Sequence, residues 1–91
     1  MSAEAVAAGP PIIHVKIYAP FRTYFDDEAN TVSARNLTGD FDVLAHHKNF
    51  ITLLSPCDIV VRKNGAPDFV LPITKGVMHV KADQATVFLD V

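Results

Sequence analysis

The chain has 91 residues, 49% of them hydrophobic, and a net charge of −2 from eight basic and ten acidic side chains. That length holds one domain and not two; a domain of this size buries only about 60–65% of the surface its unfolded chain exposes, which supports one modest core and leaves little room for a deep catalytic cleft. The apolar content argues against disorder over most of the chain, the charge balance leaves no broad basic face for nucleic acid, and no apolar run nears the ~20 residues of a membrane-spanning helix.

Residues 1–11, MSAEAVAAGPP, lack the basic start and long apolar stretch of a secretory signal. They end in Gly9-Pro10-Pro11, which continues neither a helix nor a sheet, so a flexible N-terminal tail is expected ahead of a domain over 12–91. Ile13, Val15 and Ile17 alternate with His14, Lys16 and Tyr18, the period of a half-buried strand, and Pro20 ends it. Arg22 to Phe25 predicts a second strand, and Asp26-Asp27-Glu28 reads as a charged, solvated break. Thr31 to Ala34 predicts a short strand, followed by turn chemistry at Asn36, Gly39 and Asp40.

The stretch GDFDVLAHHKNF then sets Asp40 and Asp42 ahead of a histidine pair, His46 and His47. Phe50 to Leu54 is short and apolar, and period alone does not decide between strand and helix. Cys57 has no intrachain partner, suits a reducing compartment, and reads as a small apolar residue beside a turn. Asp58 to Lys63 predicts a strand, Asn64-Gly65 a hairpin-type turn, and Asp68 to Thr74 the partner strand, with Pro72 confined to an edge or bulge. The last segment predicts a hairpin around Ala82-Asp83-Gln84. Met78 and Val80 oppose His79 and Lys81 on its first strand; Val87, Leu89 and Val91 oppose Thr86, Phe88 and Asp90 on its second. No stretch carries a helical period, and many short strands with closely spaced turns imply an all-β sandwich or barrel.

No nucleophile–base pair, Gly-rich phosphate loop or zinc-type spacing is present. Asp40, Asp42, His46 and His47 carry the residue types of a metal or acid–base site, but adjacent histidines on an extended chain point to opposite faces. A small metal-binding module or enzyme built on those four residues is therefore one alternative, and a free-standing β-sandwich adaptor another. His14 and His79 fall on the wet faces of their strands. Phe88 is apolar on a nominally wet face, which suits either packing or a docking patch.

Three stretches, in order, resemble one family. HVKIYAPFRTYF (14–25), GDFDVLAHHKNFITLL (39–54), and TKGVMHV (74–80) followed by ATVFLD (85–90) resemble the opening strand pair, the G-E-F-G-I-L-P-G-H-A-P-L-L-T-x-L signature and the closing S-G-G-F-L-E-V…V-T-V-L-A-D of the N-terminal domain of F-type ATP synthase ε subunits, called δ in mitochondria. The resemblance covers 12–91 and implies a two-sheet antiparallel β-sandwich with no catalytic role. It implies docking on the γ subunit and on the polar loops of the c-ring, so that ion-driven rotation is coupled to ATP synthesis. No cofactor or metal is implied, nor nucleic acid or direct membrane insertion. The expected location is cytoplasmic, peripheral to the inner membrane through the complex, with the isolated chain monomeric.

By position, Asp40 takes the place of the family's acidic residue and His47 that of its histidine, with Asp42 and His46 as this chain's own additions. All four are expected at the c-ring, whose loops typically present arginine; His14, His79 and Phe88 are the candidates for γ. Departures from the pattern are Ala45-His46 for Pro-Gly, and Asn36, Asp42, Cys57 and Lys75 for glycines. If the family's glycine takes a positive φ, His46 must tolerate it. The family usually continues into a C-terminal helical hairpin that can inhibit hydrolysis; the sequence here runs to Val91, so no inhibition through such helices is expected of it.

Overall fold

A computed structural model of the protein describes residues 12–89, so the tail expected over 1–11 lies outside the described residues, as do Asp90 and Val91. The described residues form nine strands and no helix: β1 (Ile13–Ala19), β2 (Arg22–Ala29), β3 (Thr31–Asn36), β4 (Gly39–Val43), β5 (Phe50–Leu54), β6 (Cys57–Arg62), β7 (Phe69–Ile73), β8 (Gly76–Lys81) and β9 (Gln84–Leu89). They build a five-stranded sheet of order β2-β1-β9-β8-β5 and a four-stranded sheet of order β4-β3-β6-β7. The all-β, two-sheet sandwich is as expected.

One pair departs from the antiparallel rule. β1 runs parallel to β9, with Val15 opposite Ala85 and Ile17 opposite Val87. Parallel neighbours need a long crossover; here it is the excursion of the chain through the second sheet.

The core is built by period-2 burial. Ile13, Val15 and Ile17 of β1 with Met78, Val80, Ala85, Val87 and Leu89 of the β8–β9 hairpin face Val32, Ala34, Val43, Ile59, Val61 and Ile73 of the other sheet. No polar or charged side chain among the described residues is buried. Phe41 meets Phe50 edge-on at 5.9 Å, which closes the gap between β4 and β5, and Phe25 meets Phe69 at 5.1 Å between β2 and β7.

Two local readings change, and one left open is decided. Asp26-Asp27-Glu28 is not a break: it continues β2, paired with Lys16, Val15 and His14 of β1. β2 is an edge strand, where charge is tolerated and discourages a further strand from adding. Asp26 engages His14 Nε2 at 2.5 Å, and Lys63 Nζ reaches Asp27 at 3.1 Å. Gly39–Val43 is strand β4, paired with β3 through Asn36 opposite Gly39 and Arg35 opposite Asp40. Phe50–Leu54 is a strand at the free edge of the larger sheet. Pro72 lies on edge strand β7, as its missing N–H requires.

The connections gather at two ends. At one end lie the loop 44–49, the segment 63–68 and the β8–β9 turn, Ala82-Asp83, with φ of 51° and 61°. Positive φ at both residues of a two-residue turn matches the twist of the flanking strands. At the other end lie Pro20-Phe21, Leu37-Thr38, Ser55-Pro56 and Thr74-Lys75.

Candidate docking surfaces

The outward face of the five-stranded sheet is ordered in rows. Leu53 lies opposite Val77, Val77 opposite Phe88, and Phe88 opposite Tyr18, an apolar row across β5, β8, β9 and β1. Tyr18 and Phe88 stack edge-on at 5.2 Å. The next row is mixed: Ile51, His79, Thr86 and Lys16. The third, Lys81, Gln84 and His14, is polar. Leu53 and Ile51 are 69% and 68% exposed, and Leu37, on the turn beside β5, is 95% exposed. A shallow groove lined by Leu53, Val77, Gly76 and Phe88 runs along the apolar row, and a second, lined by Leu37, Ile51 and Leu53, continues it over the sheet edge.

Of the three γ candidates, Phe88 sits in the apolar row and His79 in the row beside it. His14 lies at the far, polar end of the same face, held by Asp26. Sequence reading missed Leu37, Ile51 and Leu53. The available signal was in β5 itself: Phe-Ile-Thr-Leu-Leu carries apolar residues on both parities, whereas a strand with one wet face alternates.

Asp40 and Asp42 share the outward face of the other sheet. Arg35 Nε donates to Asp40 Oδ1 at 2.7 Å across β3 and β4. That hydrogen bond, and secondarily the guanidinium charge, holds the Asp40 carboxyl below its ordinary value. Ser33 Oγ donates to Asp42 at 2.6 Å, and Arg62 Nη1 donates to Ser33 Oγ at 2.9 Å. Asp40 is still 76% exposed, with lone pairs open to a second cation.

His46 and His47 lie in the loop 44–49. His46 has φ of 67°, the left-handed conformation anticipated for a residue in a glycine position. Its backbone N–H donates to Asp83 Oδ1 at 2.7 Å, and its Nδ1 is 4.0 Å from Asp83 Oδ2. His47 Nδ1 pairs with the Lys48 carbonyl at 2.8 Å, and its ring stacks on Phe50 with centroids 4.9 Å apart. The loop therefore runs into the start of β5.

The four residues singled out as one cluster do not come together. Asp40 is engaged by Arg35, Asp42 by Ser33, His46 by Asp83 and His47 by a backbone carbonyl. Among the described residues no three His, Cys, Asp or Glu side chains group as metal ligands. The metal or acid–base alternative thus loses its geometric basis, because β4 carries its two carboxylates on a sheet face while the histidines sit on the loop beyond its end.

Comparison with known proteins converges on one family. The family described as ATP synthase, delta/epsilon chain, β-sandwich domain matches residues 12–91. The ATP synthase epsilon chain of Caulobacter vibrioides is 35% identical over 78 residues, covering 86% of this chain and 90% of that one. The epsilon chain of Desulfosudis oleivorans is 28% identical over 78 residues; this chain spans 59% of that relative's length. In fold, the chain is similar to one in the Euglena gracilis mitochondrial ATP synthase OSCP/F1/c-ring assembly, with a TM-score of 0.80 at 18% identity, covering 98% of this chain and 57% of that chain. A chain of the Tetrahymena thermophila mitochondrial ATP synthase central stalk and c-ring superposes with a TM-score of 0.70 at 17% identity, over 87% and 63%.

Proposed function

Because this chain belongs to the ATP synthase delta/epsilon chain β-sandwich family, we propose that it is a non-catalytic subunit of the central stalk, docking on γ and on the polar loops of the c-ring to couple rotation to ATP synthesis. The observation that carries this reading is the open apolar row Leu53, Val77, Phe88, Tyr18 on a domain in which, among the described residues, no three metal-ligating side chains group. A face of this kind is what a lasting protein interface buries.

The γ contact is assigned to that row, extended by Ile51 and Leu37 along the β5 edge, with Phe88 at its centre and His79 at its margin. The ring contact is assigned to Asp40 and Asp42 on the opposite sheet, where an incoming arginine finds a carboxylate with open lone pairs. His46 and His47, also expected at the ring, lie on the loop leading into β5, beside the β8–β9 turn at the polar end of this sheet, and in this assignment they border the γ surface from that end. The complex holds the chain at the membrane periphery, on the cytoplasmic side; no helix among the described residues is long and apolar enough to cross a membrane.

The test is Asp40→Arg in the assembled synthase. Charge repulsion against ring arginines lowers the ions pumped per ATP hydrolysed while γ binding persists. An unchanged pumping ratio means that Asp40 does not meet the ring.

A further inference from the structure

We infer that Asp83 is a positioning residue: its carboxylate locks the loop 44–49 in a left-handed turn at His46 and so presents His46 and His47 along the margin of the γ-facing surface. The inference rests on the docking assignment above for its functional part, and on the geometry of the loop and turn for its structural part.

A histidine at φ of 67° occupies a left-handed region that a non-glycine residue adopts only at a cost. Something must hold it there. Asp83 supplies the hold through its side chain, which accepts the His46 backbone N–H at 2.7 Å. A hydrogen bond to an ionised acceptor is stronger than a neutral one and is of a size to offset the backbone cost.

Asp83 is itself fixed from two sides. It lies in the tight β8–β9 turn with φ of 61°, and its carbonyl accepts the His14 N–H at 2.9 Å, which ties the turn to the start of β1. A second bond runs alongside: the Ala82 N–H donates to Asn49 Oδ1 at 3.2 Å. Turn and loop are thus stitched at two points, at His46 itself and at Asn49 beyond the histidine pair. The His46 side chain, 83% exposed, is left facing outward.

The pairing also explains a compensation. The family pattern has glycine where this chain has His46. A glycine there adopts a positive φ without help; a histidine needs a partner. Asp83 is that partner, so His46 and Asp83 act as a unit, and loss of one matters only while the other is present.

Four chains test this: Asp83→Ala, the conservative Asp83→Asn, whose amide oxygen still accepts the N–H, His46→Gly, and the double variant His46→Gly with Asp83→Ala. Two readouts are needed, hydrogen exchange at the residue 46 amide and affinity for the purified γ subunit. In Asp83→Ala, the residue 46 amide exchanges about tenfold faster, the expected consequence of losing one such bond, while amides of the core strands keep their protection. Asp83→Asn restores most of the protection. His46→Gly lets the loop hold its turn without Asp83, so in that background Asp83→Ala changes γ affinity little, although in the parent chain it weakens it. Unchanged exchange at residue 46 in Asp83→Ala overturns the lock. Faster exchange with unchanged γ affinity keeps the lock and removes the loop from the γ surface, which separates failure of the docking assignment from failure of this inference.

Discussion

Leu53→Asp separates docking from folding. Leu53 is 69% exposed in the isolated domain. Full burial of a leucine side chain is worth about 1.5–3 kcal/mol, so the third that is already buried contributes about 0.5–1 kcal/mol to folding. The aspartate adds a few tenths through poor strand propensity. The isolated domain therefore loses on the order of 1 kcal/mol and stays folded. In the complex the account differs. The remaining two thirds of leucine burial, about 1–2 kcal/mol, is forfeited, and a carboxylate must be desolvated within an apolar row with no cation opposite, at a further cost of several kcal/mol. At 1.4 kcal/mol per factor of ten, a combined loss of about 3 kcal/mol weakens γ binding by at least about 100-fold. Urea unfolding measures the first quantity and calorimetric titration with γ the second. Asp58→Lys, on the exposed face of the other sheet, is the control and leaves affinity within a few-fold. A Leu53→Asp chain that binds γ like the parent shows that the apolar row is not the docking face.

Two predictions concern the isolated domain. A Cβ at Gly76 would stand 2.9 Å from the Phe88 carbonyl oxygen and 3.1 Å from Leu89 Cδ2; the backbone oxygen cannot yield, so Gly76→Ala lowers the urea unfolding free energy by about 1–3 kcal/mol, and a loss below about 0.5 kcal/mol contradicts the stated packing. The Asp40 carboxyl is depressed by its hydrogen bond from Arg35, so the stability it adds is present above the ordinary aspartate value of 3.8 and is lost as pH falls through the lower folded-state value. Arg35→Ala moves the Asp40 carboxyl upward in an NMR titration and removes that part of the acid dependence; an unmoved titration refutes the pairing in solution.

What the sequence disclosed follows from what leaves a local trace. β1, β8 and β9 each bury one parity and wet the other, and their alternation is plain. β4 hid behind its own residues: Gly39 and Asp40 carry turn chemistry, and only the pairing of Arg35 with Asp40 and Asn36 with Gly39 makes them a strand start. The acidic run of β2 looked like a solvated break because an edge strand can satisfy charges in water while its backbone pairs on one side only. The parallel contact of β1 with β9 left no mark at all, since direction between strands remote in sequence is set by the path of everything between them. At the loop, comparison with the family pattern flagged His46 as a histidine in a glycine position. Nothing local pointed to Asp83, 37 positions away, as its partner.

The distribution of polarity also bears on why such a domain can serve a mechanical role. No polar or charged side chain is fully buried among the described residues, and the contacts assigned above lie on the surface. There the two assigned contacts fall on opposite sheets: the apolar row on β5, β8, β9 and β1, the carboxylates on β4. Partners on opposite faces do not compete, and each can be held while the other is under load. Between them lies one sandwich thickness, about 10 Å of interdigitated apolar side chains. Interiors packed to this density have low compressibility and transmit strain, so a displacement imposed at the carboxylate face reaches the apolar face with little loss. Two contacts side by side on one sheet would instead load the domain through its loops, which are the parts least able to resist.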